Sequence, residues 1–225
     1  DRVEKRFVEL LLSGVAAQAP TTIFEGYAPP VQDIDDDRHA RFLDVATRLI
    51  NLHGYRGASV DRIAAQLNVT KGSFYHHHDA KDDLVLDCYL QSLDQIDAAQ
   101  LAGFRTPSDP LVQLSGTMAS LVAIQFSNGT PLVRSTAMEA LPPELRAGVV
   151  ERSDHIARRF AGMVADGITV GSIRPVDPLV CGQFLMSSLN VAFELRTAIP
   201  DDSVGPCVRQ YCRLVLDGLL ADGRA

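Results

Sequence analysis

The chain has 225 residues, 46% of them hydrophobic and 22% charged, with no tryptophan and a formal net charge of −7. That length and balance suit one or two soluble domains with a full core and exclude disorder over most of the chain. No stretch approaches eighteen uninterrupted apolar residues, and the N-terminus lacks the basic, apolar and cleavage-site succession of a secretory leader. The expected location is therefore the cytoplasm.

In chain order, Val3 to Ala17 reads as an amphipathic helix with an apolar stripe of Phe7, Leu10, Leu11 and Val15. A Pro-, Gly- and Asp-containing linker follows and ends in Asp35-Asp36-Asp37. The next helix carries Phe42, Val45, Ala46, Leu49 and Ile50 at helical spacing and closes at Gly54 in a left-handed cap. Ser59 is an N-cap for a short helix with Ile63, Ala64 and Leu67 inward, and Asn68 suits a left-handed turn after it. Thr70 caps a second short helix over roughly 71–76. Asp79, with Asp82 reaching back, caps a long amphipathic helix running through Leu84, Leu86, Tyr89, Leu93 and Ile96 to about Gly103. Prolines then punctuate helices expected near 109–127, 131–140, 143–169, 177–196 and 203–221. No alternating strand pattern is convincing, so the fold class is all-α.

Two short helices joined by a tight turn form a helix-turn-helix. Ala64 is small where the helices approach, and Val69 with Phe74 is expected to fix their angle. The second helix presents Lys71, Gly72, Ser73, Tyr75, His76 and His77 with no acidic residue among them, as a helix entering a major groove requires. Dividing the charge supports this reading. Residues 38–81 hold seven Lys/Arg and three Asp/Glu, a net +4, whereas residues 1–37 carry −5 and residues 82–225 carry −6. A basic island in an acidic protein is the footprint of a polyanion partner. Lys71 and Lys81 stand in first turns, where the helix dipole disfavours a cation, so a compensating phosphate is expected outside the chain.

The stretch RFLDVATRLINLHGYRGASVDRIAAQLNVTKGSFYHHHDAKDDL, residues 41–84, closely resembles the DNA-binding domain of the tetracycline-repressor family. The shared features are a helix ending in Gly-Tyr, a Ser-capped helix with Ile-Ala, a Val-Thr-Lys-Gly-x-x-Tyr recognition helix and a Lys-x-x-Leu start to the next helix. Residues 167–190, GITVGSIRPVDPLVCGQFLMSSLN, also look like the family's turn into its penultimate helix. His78 departs from the pattern, standing where the family usually has Phe, which bears on how the recognition helix packs. The resemblance implies that Ser59, Thr70, Tyr75 and Lys81 hold phosphates while Lys71, Gly72, Ser73 and His76 face the groove. It implies a homodimer through helices 177–196 and 203–221 on a pseudo-palindromic double-stranded operator, and repression relieved by a small-molecule effector. The implied organisation is an N-terminal extension (1–37), a helix-turn-helix domain (38–84) and an effector-binding and dimerisation domain (85–225).

Met118, Leu121, Val122, Phe126, Met138, Phe160, Met163 and Phe184 lie on the helices that would form the effector pocket, and their character points to a largely apolar ligand. Each also suits plain core. The four cysteines, Cys88, Cys181, Cys207 and Cys212, show no zinc spacing and read as reduced small hydrophobes. Consecutive histidines at 76–78 cannot all face one ion, Lys71-Gly72-Ser73 inverts the order of a phosphate-binding loop, and no catalytic constellation appears. No metal, cofactor or enzymatic activity is expected; the alternative is a helical ligand-binding protein or enzyme without operator binding. Finally, residues 7–17 align without gaps with residues 211–221, matching Leu10, Leu12, Gly14 and Ala17 to Leu214, Leu216, Gly218 and Ala221. If this is a repeat, the extension resembles the end of a preceding regulator unit in a tandem fusion. Residues 3–17 are then expected to be helical and docked near 177–196 and 203–221.

Overall fold

Helix after helix in this chain begins at a side chain that can take up its orphan N–H groups, and the same device appears twice as Asp-Pro. In the computed structural model, which describes residues 5, 6, 8, 10, 13–15, 38–70, 72, 80–105, 108–127, 130–200 and 203–217, there is no β-strand among the described residues. The helices are α1 (Arg38–Gly57), α2 (Val60–Leu67), α3 (Lys81–Arg105), α4 (Pro110–Phe126), α5 (Pro143–Val170), α6 (Pro178–Leu195) and α7 (Val204–Asp217). Short 3-10 helices occupy Ser135–Ala140 and Arg196–Ala198. Asp109 accepts from Leu111 N–H at 2.8 Å and Asp177 accepts from Leu179 and Val180 N–H at 3.1 Å each. Pro110 and Pro178 then fill the first helical positions, where a missing N–H costs nothing. At the other end of α5, Gly171 adopts φ +83°, a conformation that side chains rarely tolerate, and Ile173 N–H returns to the Gly167 carbonyl at 3.1 Å.

The chain divides into two compact units. One comprises residues 31–95 and 128–153 and contains α1, α2 and the Ser135–Ala140 helix, which packs on α1. Its core includes Phe42, Ala46, Leu49, Ile50, Ile63 and Ala64 as the helical spacing predicts, whereas Val45 and Leu67, also expected inward, are half-buried and Leu43 is buried in addition. On α3, Val85 and Cys88 are buried where Leu86 is half-exposed, so the inner face is rotated slightly from the expected one. The other unit comprises residues 1–30, 96–127 and 154–225, in which α4 packs on α6 and α7. There Gln125 of α4 donates to the Leu189 carbonyl of α6 at 2.8 Å, and Phe126 meets Tyr211 of α7 edge-on with ring centroids 5.7 Å apart. Gly182 of α6 lies so close to α5 that a Cβ there would stand 2.4 Å from the Ala157 carbonyl oxygen.

One expected helix is largely absent. Residues 130–134 are non-helical, and only Ser135–Ala140 forms a 3-10 turn where a helix over 131–140 was expected. The reason is tertiary. Buried Asn51 of α1 donates its Nδ2 to the Leu132 carbonyl at 2.8 Å and accepts from Arg134 N–H at 2.9 Å. Ser92 Oγ accepts from Val133 N–H at 2.9 Å, and the Tyr89 hydroxyl donates to the Arg134 carbonyl at 2.7 Å. Side chains from α1 and α3 thus satisfy the backbone that a helix would otherwise have satisfied internally.

Candidate nucleic-acid interface and effector body

Local sequence chemistry places the first half of the helix-turn-helix. Gly54 leaves the helical region at φ +69°, and the Ala58 N–H returns to its carbonyl at 3.1 Å, turning the chain toward α2. Ser59 caps α2, its Oγ accepting from Arg62 N–H at 3.3 Å. Asn68 ends α2 in the left-handed conformation (φ 55°, ψ 43°), with its own N–H on Ala65 and that of Val69 on the Ala64 carbonyl at 2.9 Å. These are the cap and turn that the residue types require.

Of the eight proposed DNA-contacting residues, Ser59, Thr70, Gly72 and Lys81 are described; Lys71, Ser73, Tyr75 and His76 lie outside the described residues, as do Phe74, His77, His78 and Asp79. Ser59, Thr70 and Gly72 are exposed and Lys81 is half-buried. Val69 is 37% exposed, and Phe74, its expected partner in fixing the helix angle, lies outside the described residues.

Two expectations at the start of α3 are corrected. The backward-reaching carboxylate is Asp83, which accepts from Ala80 N–H at 3.0 Å, one residue later than expected for the capping box. Asp82 instead accepts the Tyr55 hydroxyl hydrogen bond. Lys81 donates to the Tyr55 carbonyl and its Nζ sits 4.1 Å from the Tyr55 ring centroid. The cation at this helix N-terminus is therefore compensated within the chain, by a carbonyl, a ring face and the neighbouring Asp82. Burial lowers the Lys81 pKa and Asp82 partly opposes that shift. Burial, with the Asp82 hydrogen bond and charge, pushes the Tyr55 phenol up to about 12. Tyr55 thus ties the end of α1 to the start of α3, a role its position beside Gly54 did not reveal.

The expected effector-lining residues separate by exposure. Met118, Leu121, Val122, Phe126, Phe160 and Met163 are buried, whereas Met138 and Phe184 are half-buried. Seven of the eight belong to the unit holding α4, α6 and α7; Met138 belongs to the other. The same unit holds Gln100, fully buried, which donates Nε2 to the Ile156 carbonyl at 3.0 Å. Burial raises Cys88, Cys181 and Cys212 to about 12, so these thiols stay protonated. All four cysteines are free. Among the described residues no helix is long and apolar enough to cross a membrane.

Residues 5, 6, 8, 10 and 13 are helical and belong to the unit that holds α6 and α7, but Gly14 and Val15 are not helical where a helix to Ala17 was expected, because Gly14 turns the chain at φ +62°. Val15 N–H donates to the Leu216 carbonyl at 2.6 Å, and Arg174 N–H donates to the Val15 carbonyl at 3.0 Å. Of the apolar stripe, Leu10 and Val15 are buried, while Phe7 and Leu11 lie outside the described residues.

Comparison with known proteins accords with both halves. A family model described as bacterial regulatory proteins, tetR family, matches residues 42–88, and one described as tetracyclin repressor-like, C-terminal domain, matches residues 106–194. The HTH-type transcriptional repressor KstR2 of Rhodococcus jostii is 26% identical over 196 residues, spanning 85% of this chain and 96% of its own. The solved structure of the ketosteroid transcriptional regulator KstR2 of Mycobacterium tuberculosis superimposes with a TM-score of 0.65 at 19% identity, over 80% of this chain and 94% of that one. AibR, solved in complex with isovaleryl coenzyme A and operator DNA, superimposes at 0.62 with 21% identity, over 80% and 98%. With both domains of one family matched in chain order over more than half of its length, the chain belongs to the TetR family of bacterial regulatory proteins.

Proposed function

We propose that this protein is a ligand-responsive transcriptional repressor that binds a pseudo-palindromic operator as a homodimer and is released by a small, largely apolar effector. It acts in the cytoplasm and is not an enzyme. The observation that carries the reading is the capped turn at Ser59 and Asn68, set in a +4 island of an acidic chain and matched by the family's DNA-binding domain. Residues 38–84 are assigned to DNA, with Lys71, Gly72, Ser73 and His76 toward base edges and Ser59, Thr70, Tyr75 and Lys81 toward phosphates. An ammonium carries three donors and Tyr55 takes one, which leaves Lys81 able to reach a phosphate while held in place. Dimerisation is assigned to α6 and α7, where Leu179 and Val191 are 64% and 54% exposed and Leu195 and Leu214 are also exposed. Effector binding is assigned to residues 85–225, in keeping with AibR, whose structure holds both a coenzyme A thioester and operator DNA.

The test is selection of duplexes from a random library, followed by affinity against salt. A two-fold-symmetric consensus is expected. Lys81→Ala should weaken all duplexes alike and reduce the salt slope by about one, whereas Lys71→Ala should also change base preference. No enrichment, or two variants that bind like the parent, would remove the docking assignment.

A further inference from the structure

The last four carbonyls of any helix lack intrahelical donors and must find partners elsewhere. In α7 one of them, Leu216, is met by the N–H of Val15, some two hundred residues earlier in the chain. The other edge of the same short stretch is also bonded. Arg174, in the turn between α5 and α6, gives its N–H to the Val15 carbonyl at 3.0 Å and its Nε to the Gly14 carbonyl at 2.6 Å. Residues 14 and 15 therefore bridge, through backbone hydrogen bonds, the end of α7 and the turn before α6. Gly14 makes the link possible: it stands at φ +62° and closes the preceding helical turn through its N–H on the Leu10 carbonyl at 2.8 Å. Two apolar anchors flank it, Leu10 at 2% and Val15 at 0% exposure. An ion pair from Arg6 reaches Asp177, the side chain that caps α6.

Backbone hydrogen bonds to two separate partners, buried apolar anchors and an ion pair are the elements by which a protein surface holds a peptide segment in one register. Neither matched family domain, 42–88 or 106–194, includes this segment. We propose that Leu216, Arg174 and Asp177 form a peptide-docking site whose occupant is the N-terminal segment of the same chain, held through Arg6, Leu10, Gly14 and Val15. Docking clamps the end of α7 to the start of α6. Because those helices carry the exposed apolar residues assigned above to dimerisation, the clamp sets the strength of self-association; this consequence rests on that assignment, whereas the docking does not.

The test keeps the full chain. A protease site is inserted between residues 22 and 28, the folded protein is cut, and the fragments are run on size exclusion at falling concentration. The N-terminal fragment is expected to stay with the body, and to leave it when Val15→Asp and Leu10→Asp are combined. In the uncut chain, Arg174→Ala should speed amide hydrogen exchange in the last turn of α7 by tenfold or more and leave exchange in α1 unchanged. It should also weaken self-association by about tenfold in sedimentation. Immediate release of the parent fragment, or unchanged exchange in Arg174→Ala, overturns the proposal. Mixing tagged and untagged cut protein separates the occupants: exchange of fragments only between copies that are already paired would give the site to a second copy and overturn the intrachain assignment. If the full chain sediments as a monomer while the fragment is retained, the dimer assignment fails and the docking site stands.

Discussion

Replacing Asn51 by alanine should destabilise this protein far more than its place on a helix suggests. The side chain is buried and serves two backbone groups of residues 130–134, the Leu132 carbonyl at 2.8 Å and the Arg134 N–H at 2.9 Å. Each bond contributes about 1 kcal/mol net, and each orphaned buried group costs about 1–3 kcal/mol when its partner goes. Partial rehydration recovers some of that, which leaves an expected loss of about 2–4 kcal/mol. Asn51→Asp should cost at least as much, because it keeps the acceptor for Arg134 but turns a carboxylate toward the Leu132 carbonyl in a buried site. Leu52, its exposed neighbour, is the control, and Leu52→Ala should stay within about 0.5 kcal/mol of the parent. Urea unfolding followed by circular dichroism reads the difference as a lower midpoint at unchanged slope. Should Asn51→Ala fall within about 0.5 kcal/mol of the parent, the account of why residues 130–134 avoid the helix would be wrong.

Two further outcomes follow from the packing. Gly182→Ala drives a Cβ to 2.4 Å from the Ala157 carbonyl oxygen, so α5 and α6 must separate; a loss of about 1–3 kcal/mol is expected in thermal unfolding, and a neutral result would refute the close contact. Tyr211 donates to the Ser188 carbonyl at 2.5 Å, and burial, helped by neighbouring Cys212, raises its pKa to about 12. The folded state then holds a proton that the unfolded state releases near 10, so this stabilisation is complete below pH 10 and is lost as pH rises toward 12. Tyr211→Phe should flatten the stability profile between pH 10 and 12 by up to about 1.4 kcal/mol per pH unit; the same slope in parent and variant would contradict it.

Local chemistry made much of this protein legible before any coordinates. The Asp-Pro starts of α4 and α6, the Ser59 cap, the turn at Asn68 and the positive φ at Gly54 all depend on residues within four positions of one another. Steric limits and short-range hydrogen bonds decide such features, so the residue types suffice. The basic island likewise needs only counting, and the resemblance to the family's DNA-binding domain rests on residues within the one stretch 41–84. The expectation that the N-terminal helix docks near the last helices came from the same source: an amphipathic helix of about fifteen residues is marginal in water and must bury its stripe.

What composition and spacing could not decide are the places where distant groups compete with local preference. Residues 131–134 read by spacing as the start of a helix, yet Asn51, Tyr89 and Ser92, some forty to eighty positions away, supply their backbone partners. The sign was visible only as polar residues, Thr47 and Asn51, on the buried face of α1. At the start of α3 the sequence offered three carboxylates in five residues, and only the position of Tyr55 assigned Asp82 to the phenol and left Asp83 to the cap. The same holds for the end of α7: its C-terminal carbonyl could have been met by solvent or by a following residue, and the choice of Val15 belongs to the tertiary structure alone. A hydrogen bond is specified by where two groups meet, and for groups far apart in the chain that meeting point exists only once the helices have packed.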